Sequence, residues 1–243
     1  MIMFNLKSKI IPTPPYNKAF TLAEVLITLV IIGVIAAITV PTLIIKHQKE
    51  ETVTRLKKIY TTMSQAVKLS EIDNGLTDNW DYNLSAEDFY NTYLKKYIIN
   101  AKDFGFIDMN TSGVTYKKLN NEEMTSGYIL FGNNYRIVLN DGSMIMISPK
   151  QSDVKSRLIF VDINGFNKPN KFGRDVFLFQ ISSKYKFSPF GLGEEAFRSF
   201  GNVANRNVLL GNEQEACKTT RYGGWCAALI MTDGWQIKDD YPW

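Results

Sequence analysis

The pattern of apolar and polar positions changes character twice along the chain. Val25 to Ile45 is a run of 21 residues without a charge, long enough to cross a hydrocarbon layer of about 30 Å at about 1.5 Å per helical residue. The apolar stretch begins earlier, at Phe20, and holds one acid, Glu24. A carboxylate near a membrane interior costs about 2.5–3.5 kcal/mol on insertion scales, so it needs a job or a partner. After Ile45 the pattern becomes amphipathic. Val53, Leu56, Tyr60, Met63, Val67 and Ser70 recur at steps of three and four, with Arg55, Lys57, Lys58, Gln65 and Lys68 elsewhere. That is a helix with one buried face. Asn74-Gly75 supplies its stop signal. Residues 20–73 therefore read as one helix of about 80 Å, with Pro41 inside it.

Residues 76–84 read as loop. Ser85-Ala-Glu-Asp88 predicts a second helix, with Ser85 as N-cap and acids in the first turn. Its apolar face is Phe89, Tyr93, Leu94 and Tyr97, and it is expected to end near Asn100. Beyond it the periodicity shortens. Strands are predicted at Val114–Leu119, Tyr128–Gly132, Tyr135–Leu139, Ser143–Ser148, Arg157–Asp162 and Arg174–Ile181. Asn140-Asp141-Gly142 between two of them is a hairpin signal, because Asp-Gly accommodates positive φ. Short loops and alternation argue for an antiparallel sheet that buries one face on the helix. The predicted fold class is α+β.

At its N-terminus the chain carries a recognisable block. Lys18-Ala19-Phe20-Thr21-Leu22-Ala23-Glu24, followed by an apolar helix containing Pro41, resembles the start of type IV prepilins and of type II secretion pseudopilins. The resemblance covers roughly a quarter of the chain. It implies a pilin-like fold, the long N-terminal helix packed on an antiparallel sheet. It implies that a prepilin peptidase and methyltransferase cuts between Ala19 and Phe20 on the cytoplasmic face and methylates the new Phe20 amine. Glu24 would then neutralise the Phe20 amine of a neighbouring subunit during assembly, and Pro41 falls where the family kinks its helix. The family usually has glycine before the cut, and this chain has Ala19. The implied division is a leader at 1–19, a transmembrane and assembly helix at 20–45, its amphipathic continuation at 46–75 and a globular head at 76–243. The implied place is the inner membrane, crossed once, with the head in the periplasm or outside the cell. The implied partners are the peptidase, other pilin or pseudopilin subunits and the membrane.

Charge and cysteines refine this picture. Residues 1–19 hold Lys7, Lys9 and Lys18 and no acid, and Pro12, Pro14 and Pro15 rule out a stable helix there. A conventional signal peptide is cut after its apolar core, whereas this junction precedes it. Removing the leader lowers the formal charge from +4 to +1, which is no electrostatic footprint for nucleic acid. The positive-inside rule pulls the other way. Lys46, Lys49, Arg55, Lys57 and Lys58 outnumber the leader lysines, so placing the head outside rests on the resemblance and on the cysteines. Cys217 and Cys226 lie close together, and His47 is the only histidine, too little for a zinc site. In an exported chain the pair reads as a disulfide. By analogy with pilin-like proteins its loop is expected to be exposed and partner-facing.

Candidate chemistry is sparse. With one histidine beside the membrane segment, no Ser-His-Asp or Cys-His arrangement fits in the head. Gly191-Leu-Gly193 lacks the third glycine of a dinucleotide fingerprint. The chain is read as a substrate of enzymes and not as an enzyme, with no cofactor, no metal and no small-molecule substrate assigned. Two readings stand for residues 162–175: a series of Asn, Gly and Pro turns, which is preferred, or a calcium loop using Asp162, Asn164, Asn167 and Asp175. The tail aromatics, including Trp235, Tyr241 and Trp243, read either as core or as a contact surface. The leading function is a filament subunit, with length and head size tilting it toward a pseudopilin or minor subunit. The alternative is a membrane-tethered binding module whose head contacts a secreted substrate or surface.

Overall fold

The computed structural model describes residues 20–107, 113–124, 134–150, 155–192 and 205–243. The predicted strand Tyr128–Gly132 lies outside them. The chain divides into two compact units between Lys46 and His47. The first holds the start of helix α1 (Leu22–Asn74). From Phe20 to Lys46 every residue is exposed except Ala36, which is half-buried. This part of α1 is long and apolar enough to cross a membrane.

The second unit begins with the rest of α1. Leu56, Ile59, Met63, Ala66, Val67 and Ser70 are buried along one stripe, as the three- and four-residue spacing requires. The helix ends at Asn74, and Gly75 takes φ +79°, the left-handed stop that glycine adopts without strain. Helix α2 (Ala86–Tyr93) starts on a true cap, with the Ser85 hydroxyl accepting the Asp88 N–H at 3.0 Å. It stops seven residues before Asn100. Leu94 leaves the helical region at φ −123°, and the Lys95 N–H doubles back on the Tyr90 carbonyl. Leu94 and Ile98 are both buried, so the segment folds onto the core instead of extending.

Six strands follow in sequence order, each antiparallel to its neighbours: β1 (Ala101–Phe106), β2 (Tyr135–Leu139), β3 (Met144–Ile147), β4 (Ser156–Asp162), β5 (Val176–Ser182) and β6 (Lys186–Pro189). The fold is α+β and pilin-like, a long helix followed by an antiparallel sheet. The Asn140-Asp141-Gly142 turn joins β2 to β3, with Gly142 at φ +83°. Edge strand β1 carries a bulge at Phe104. The predicted strand at Val114–Leu119 is not one. Its backbone bonds to loops, Lys117 N–H to the Asn170 carbonyl and Leu119 N–H to the Tyr222 carbonyl, so no ladder forms.

The central strands are buried on both faces. One face meets the helices. Tyr60 of α1 lies 6.3 Å from Phe179 and 5.8 Å from Phe187. Arg157 sits over the Phe89 ring at 4.7 Å and donates to the Ser148, Tyr82 and Leu84 carbonyls. The buried guanidinium thus ties the loop before α2 to the sheet. The other face is covered by the loop after β4, where Phe172 meets Phe160 edge-on at 6.4 Å. The C-terminal segment also packs on the sheet, and contains the short helices α3 (Arg206–Leu209) and α4 (Cys226–Thr232).

Candidate processing and assembly site

The site starts at Phe20, which is 84% exposed; Ala19 lies outside the described residues. Thr21 is the residue before the first turn of α1. Its hydroxyl accepts the Glu24 N–H at 3.2 Å, while its own N–H and its hydroxyl both donate to Glu24 Oε2 at 2.8 Å. This is a reciprocal capping box, Thr at the N-cap and Glu three residues on, satisfying backbone donors that a helix start leaves open. The carboxylate also lies at the positive end of the helix dipole. The Thr-x-x-Glu spacing is the sequence signal of this box, and it gives Glu24 a partner within its own chain besides the one expected from a neighbouring subunit.

A carboxylate offers about four acceptor positions, and both Thr21 bonds fall on Oε2. The geometry therefore orients Glu24 at the helix start and leaves lone pairs for a further donor. The capping box needs only residues 21 and 24, so a cut before Phe20 would leave it intact. Farther along, α1 continues through Pro41. Proline has no N–H to give, so the Ala37 carbonyl loses its usual partner. Thr39 and Thr42 direct their hydroxyls to the Ile35 and Ile38 carbonyls at 2.9 and 3.0 Å, which satisfies hydroxyls that an apolar medium would otherwise strand.

Cys217 and Cys226 form a disulfide, and both are fully buried. This differs from the exposed loop expected by analogy. Cys217 is drawn inward by its N–H bond to the Leu209 carbonyl, and Trp225, 1% exposed, bonds through its N–H to the Glu215 carbonyl. Only the tip, at Thr219 and Thr220, is exposed. Of the tail aromatics, Tyr241 is core, and Trp235 and Trp243 are half-buried against it. Trp235 packs on Tyr60 at 5.1 Å, and the buried Tyr241 hydroxyl donates to the Gly173 carbonyl at 2.6 Å. One clamp had no sequence signal. Arg206 reaches Asp233 and Asp240 with two bonds each, at 2.6–3.0 Å, and Lys238 adds a third cationic bond to Asp233.

The Asp162–Asp175 loop turns one of the four oxygen donors of the calcium reading, Asn167, away from the other three. Asn167 is exposed, and its amide donates to the Asn164 carbonyl as in an ordinary turn. Asp162 is wholly buried at the end of β4, and its Oδ1 accepts the Asn164 N–H. Asp175 is 3% exposed and accepts the N–H groups of Asn170 and Lys171 at 2.7 and 2.6 Å. Burial pushes the Asp162 carboxyl up to about 8, and the charge of Asp175 adds to that rise. Burial raises Asp175 as well, against the backbone bonds from Lys171 and Asn170 that lower it.

Residues 15–40 match the model of the prokaryotic N-terminal methylation motif, the prepilin-type cleavage and methylation signature of type IV pilins and pseudopilins. Residues 42–243 match the model described as a family of unknown function (DUF6613). No curated protein and no solved structure matches the chain.

Proposed function

The chain belongs to the family of unknown function whose model spans residues 42–243, and we propose that within it the chain is a structural subunit of a type IV pilus or type II secretion pseudopilus. The methylation motif makes it a pilin- or pseudopilin-like subunit. The observation that carries the finer reading is the exposed apolar stretch from Phe20 to Ile45, with one oriented carboxylate at its start. Sixteen large apolar side chains lie exposed there. At about 0.3–0.6 kcal/mol each in favour of insertion, they outweigh the cost of one carboxylate by several kcal/mol. The segment therefore has a home in a membrane before assembly. In a filament the same surface would pack on copies or homologues.

In this reading a prepilin peptidase cuts after Ala19, the head lies on the far side of the inner membrane, and Glu24 meets the Phe20 amine of the next subunit. An opposite-charge pair gains strength in a low-dielectric surrounding. Thr21 holds the carboxylate in place for it. Glu24→Ala is expected to leave the head folded and to remove the subunit from sheared filaments. Normal incorporation of that variant would end this assembly mechanism. The tethered binding module loses much of its proposed contact surface, because the disulfide, Trp225 and Tyr241 are buried and Trp235 and Trp243 are half-buried against the core.

A further inference from the structure

We propose that the phosphate of an anionic phospholipid headgroup binds between the Gln48–Arg55 stretch of α1 and the loop after β4, held by Arg55, Lys168 and Arg174. These three residues and Trp243 line a cavity of about 340 Å³, a size at the lower end of small-molecule sites. Gln48, in the same wall, stands less than one helical turn beyond Ile45, the end of the charge-free run. With that run as a membrane span, the wall of the cavity starts at headgroup level. The proposal rests on that reading of Val25–Ile45.

Positive charge is in excess around this cavity. Lys168 is exposed, and its ammonium has no partner among the described residues. The Arg174 guanidinium lies over the Trp243 ring at 4.3 Å and bonds no carboxylate among the described residues. Arg55 makes one contact from each guanidinium nitrogen, two to Glu51 and one to the Ile163 carbonyl, at 2.7–3.3 Å. Two of its five N–H groups remain. The cavity also holds two carboxylates. Glu51 is matched by Arg55, and Asp175 is buried with its oxygens on the Asn170 and Lys171 N–H groups. Burial holds Lys171 below the usual ammonium range, and the charges of Arg174 and Lys117 add to that, so like charges crowd this side of the loop. A phosphate brings negative charge and several acceptor oxygens, which guanidinium and ammonium donors match. Trp243 adds an amphipathic ring of the kind that settles at a membrane–water interface. Anchoring by α1 would keep lipid phosphates at high effective concentration beside the cavity.

The test uses the full chain in a nonionic detergent, with short-chain phosphatidylglycerol, short-chain phosphatidylcholine or inorganic phosphate added. At about ten times Kd, phosphatidylglycerol is expected to raise the melting midpoint by about 3–6 °C, and the other two by less than about 1 °C. Lys168→Gln should weaken phosphatidylglycerol binding by about fivefold, the contribution of one cation at an anionic surface. Arg174→Gln should weaken it at least as much, and the exposed Lys168 carries the test if that variant fails to fold. Lys57→Gln, at an exposed position of α1 outside the cavity, should respond like the native chain. No shift with phosphatidylglycerol, or an equal shift with phosphatidylcholine, would overturn the site. An equal shift with inorganic phosphate would overturn the assignment to lipid. A native response from Lys168→Gln, or an equal loss in Lys57→Gln, would reduce the effect to diffuse attraction and overturn the cavity. The readout needs neither cleavage nor assembly, so its failure leaves the filament reading standing. Failure of the membrane span would show separately, as a chain that stays soluble without detergent.

Discussion

Ile38 is 70% exposed and Ile159 is wholly buried, and the two stand for two ways of handling apolar surface in one chain. From Phe20 to Lys46 the large side chains find no cover. From His47 onward the same residue types are enclosed by a stripe of α1, a six-stranded sheet and a C-terminal segment. Burying an aliphatic side chain stabilises by about 1.5–3 kcal/mol, so the second region is self-sufficient and the first is not. The difference supports the proposed function. In that reading a surface that the protein does not cover itself is left for a membrane or for other subunits, and its one carboxylate, held by Thr21, sits at its leading end.

The comparison breaks most visibly by truncation. Ile159→Ala should cost about 2–5 kcal/mol of head stability, as large-to-small changes in packed cores do. Ile38→Ala should leave head melting within about 0.5 kcal/mol. Denaturant unfolding in detergent reads both, and equal losses would mean that the first region is part of the folded core. A smaller effect sharpens the self-sufficiency of the head. Replacing Cys217 and Cys226 by serine opens a loop of nine-residue separation and should cost about 2.7 kcal/mol on the chain-entropy model. A change below about 0.5 kcal/mol would show that burial alone holds this segment.

The smallest expected effect tests whether the second half of α1 belongs to the head. Lys58 of α1 bonds Asp141 in the β2–β3 turn at 2.7 Å. Burial pushes the Asp141 carboxyl up, but bonds from Lys58 and Ser143 outweigh it and hold it down at about 2. A depressed carboxylate contributes stability above its unfolded value of about 3.9 and loses it as pH falls through the folded value. The contribution is about 1 kcal/mol once screening at this partly exposed site is counted. Lys58→Ala should therefore flatten the stability profile between about pH 4 and pH 2. An unchanged profile would detach α1 from the turn.

Much of this architecture was legible in the residues. The stop at Asn74-Gly75, the Ser85 cap, the β2–β3 turn and the central strands all follow from periodicity and turn chemistry. Edge strands β1 and β6 were not legible. Ala101–Phe106 carries Lys102, Asp103 and a bulge, and Lys186–Pro189 is short and ends in proline. Val114–Leu119 has strand composition but finds loops as partners. Polar burial was the least readable. Arg157 and Asp162 are fully enclosed, and no local pattern reveals which segments close over a charged side chain. In the Asp162–Asp175 loop Asn167 makes an exposed turn, as the preferred reading has it, whereas the burial of Asn170 carried no signal in the sequence.

The central claim is that the exposed apolar helix is delivered to an assembly by prepilin processing. Intact mass and N-terminal sequencing of the protein extracted from membranes test it most directly. The account predicts a chain that begins with N-methylated Phe20. A chain that keeps Met1 would contradict it and leave a single membrane anchor with no route into a filament.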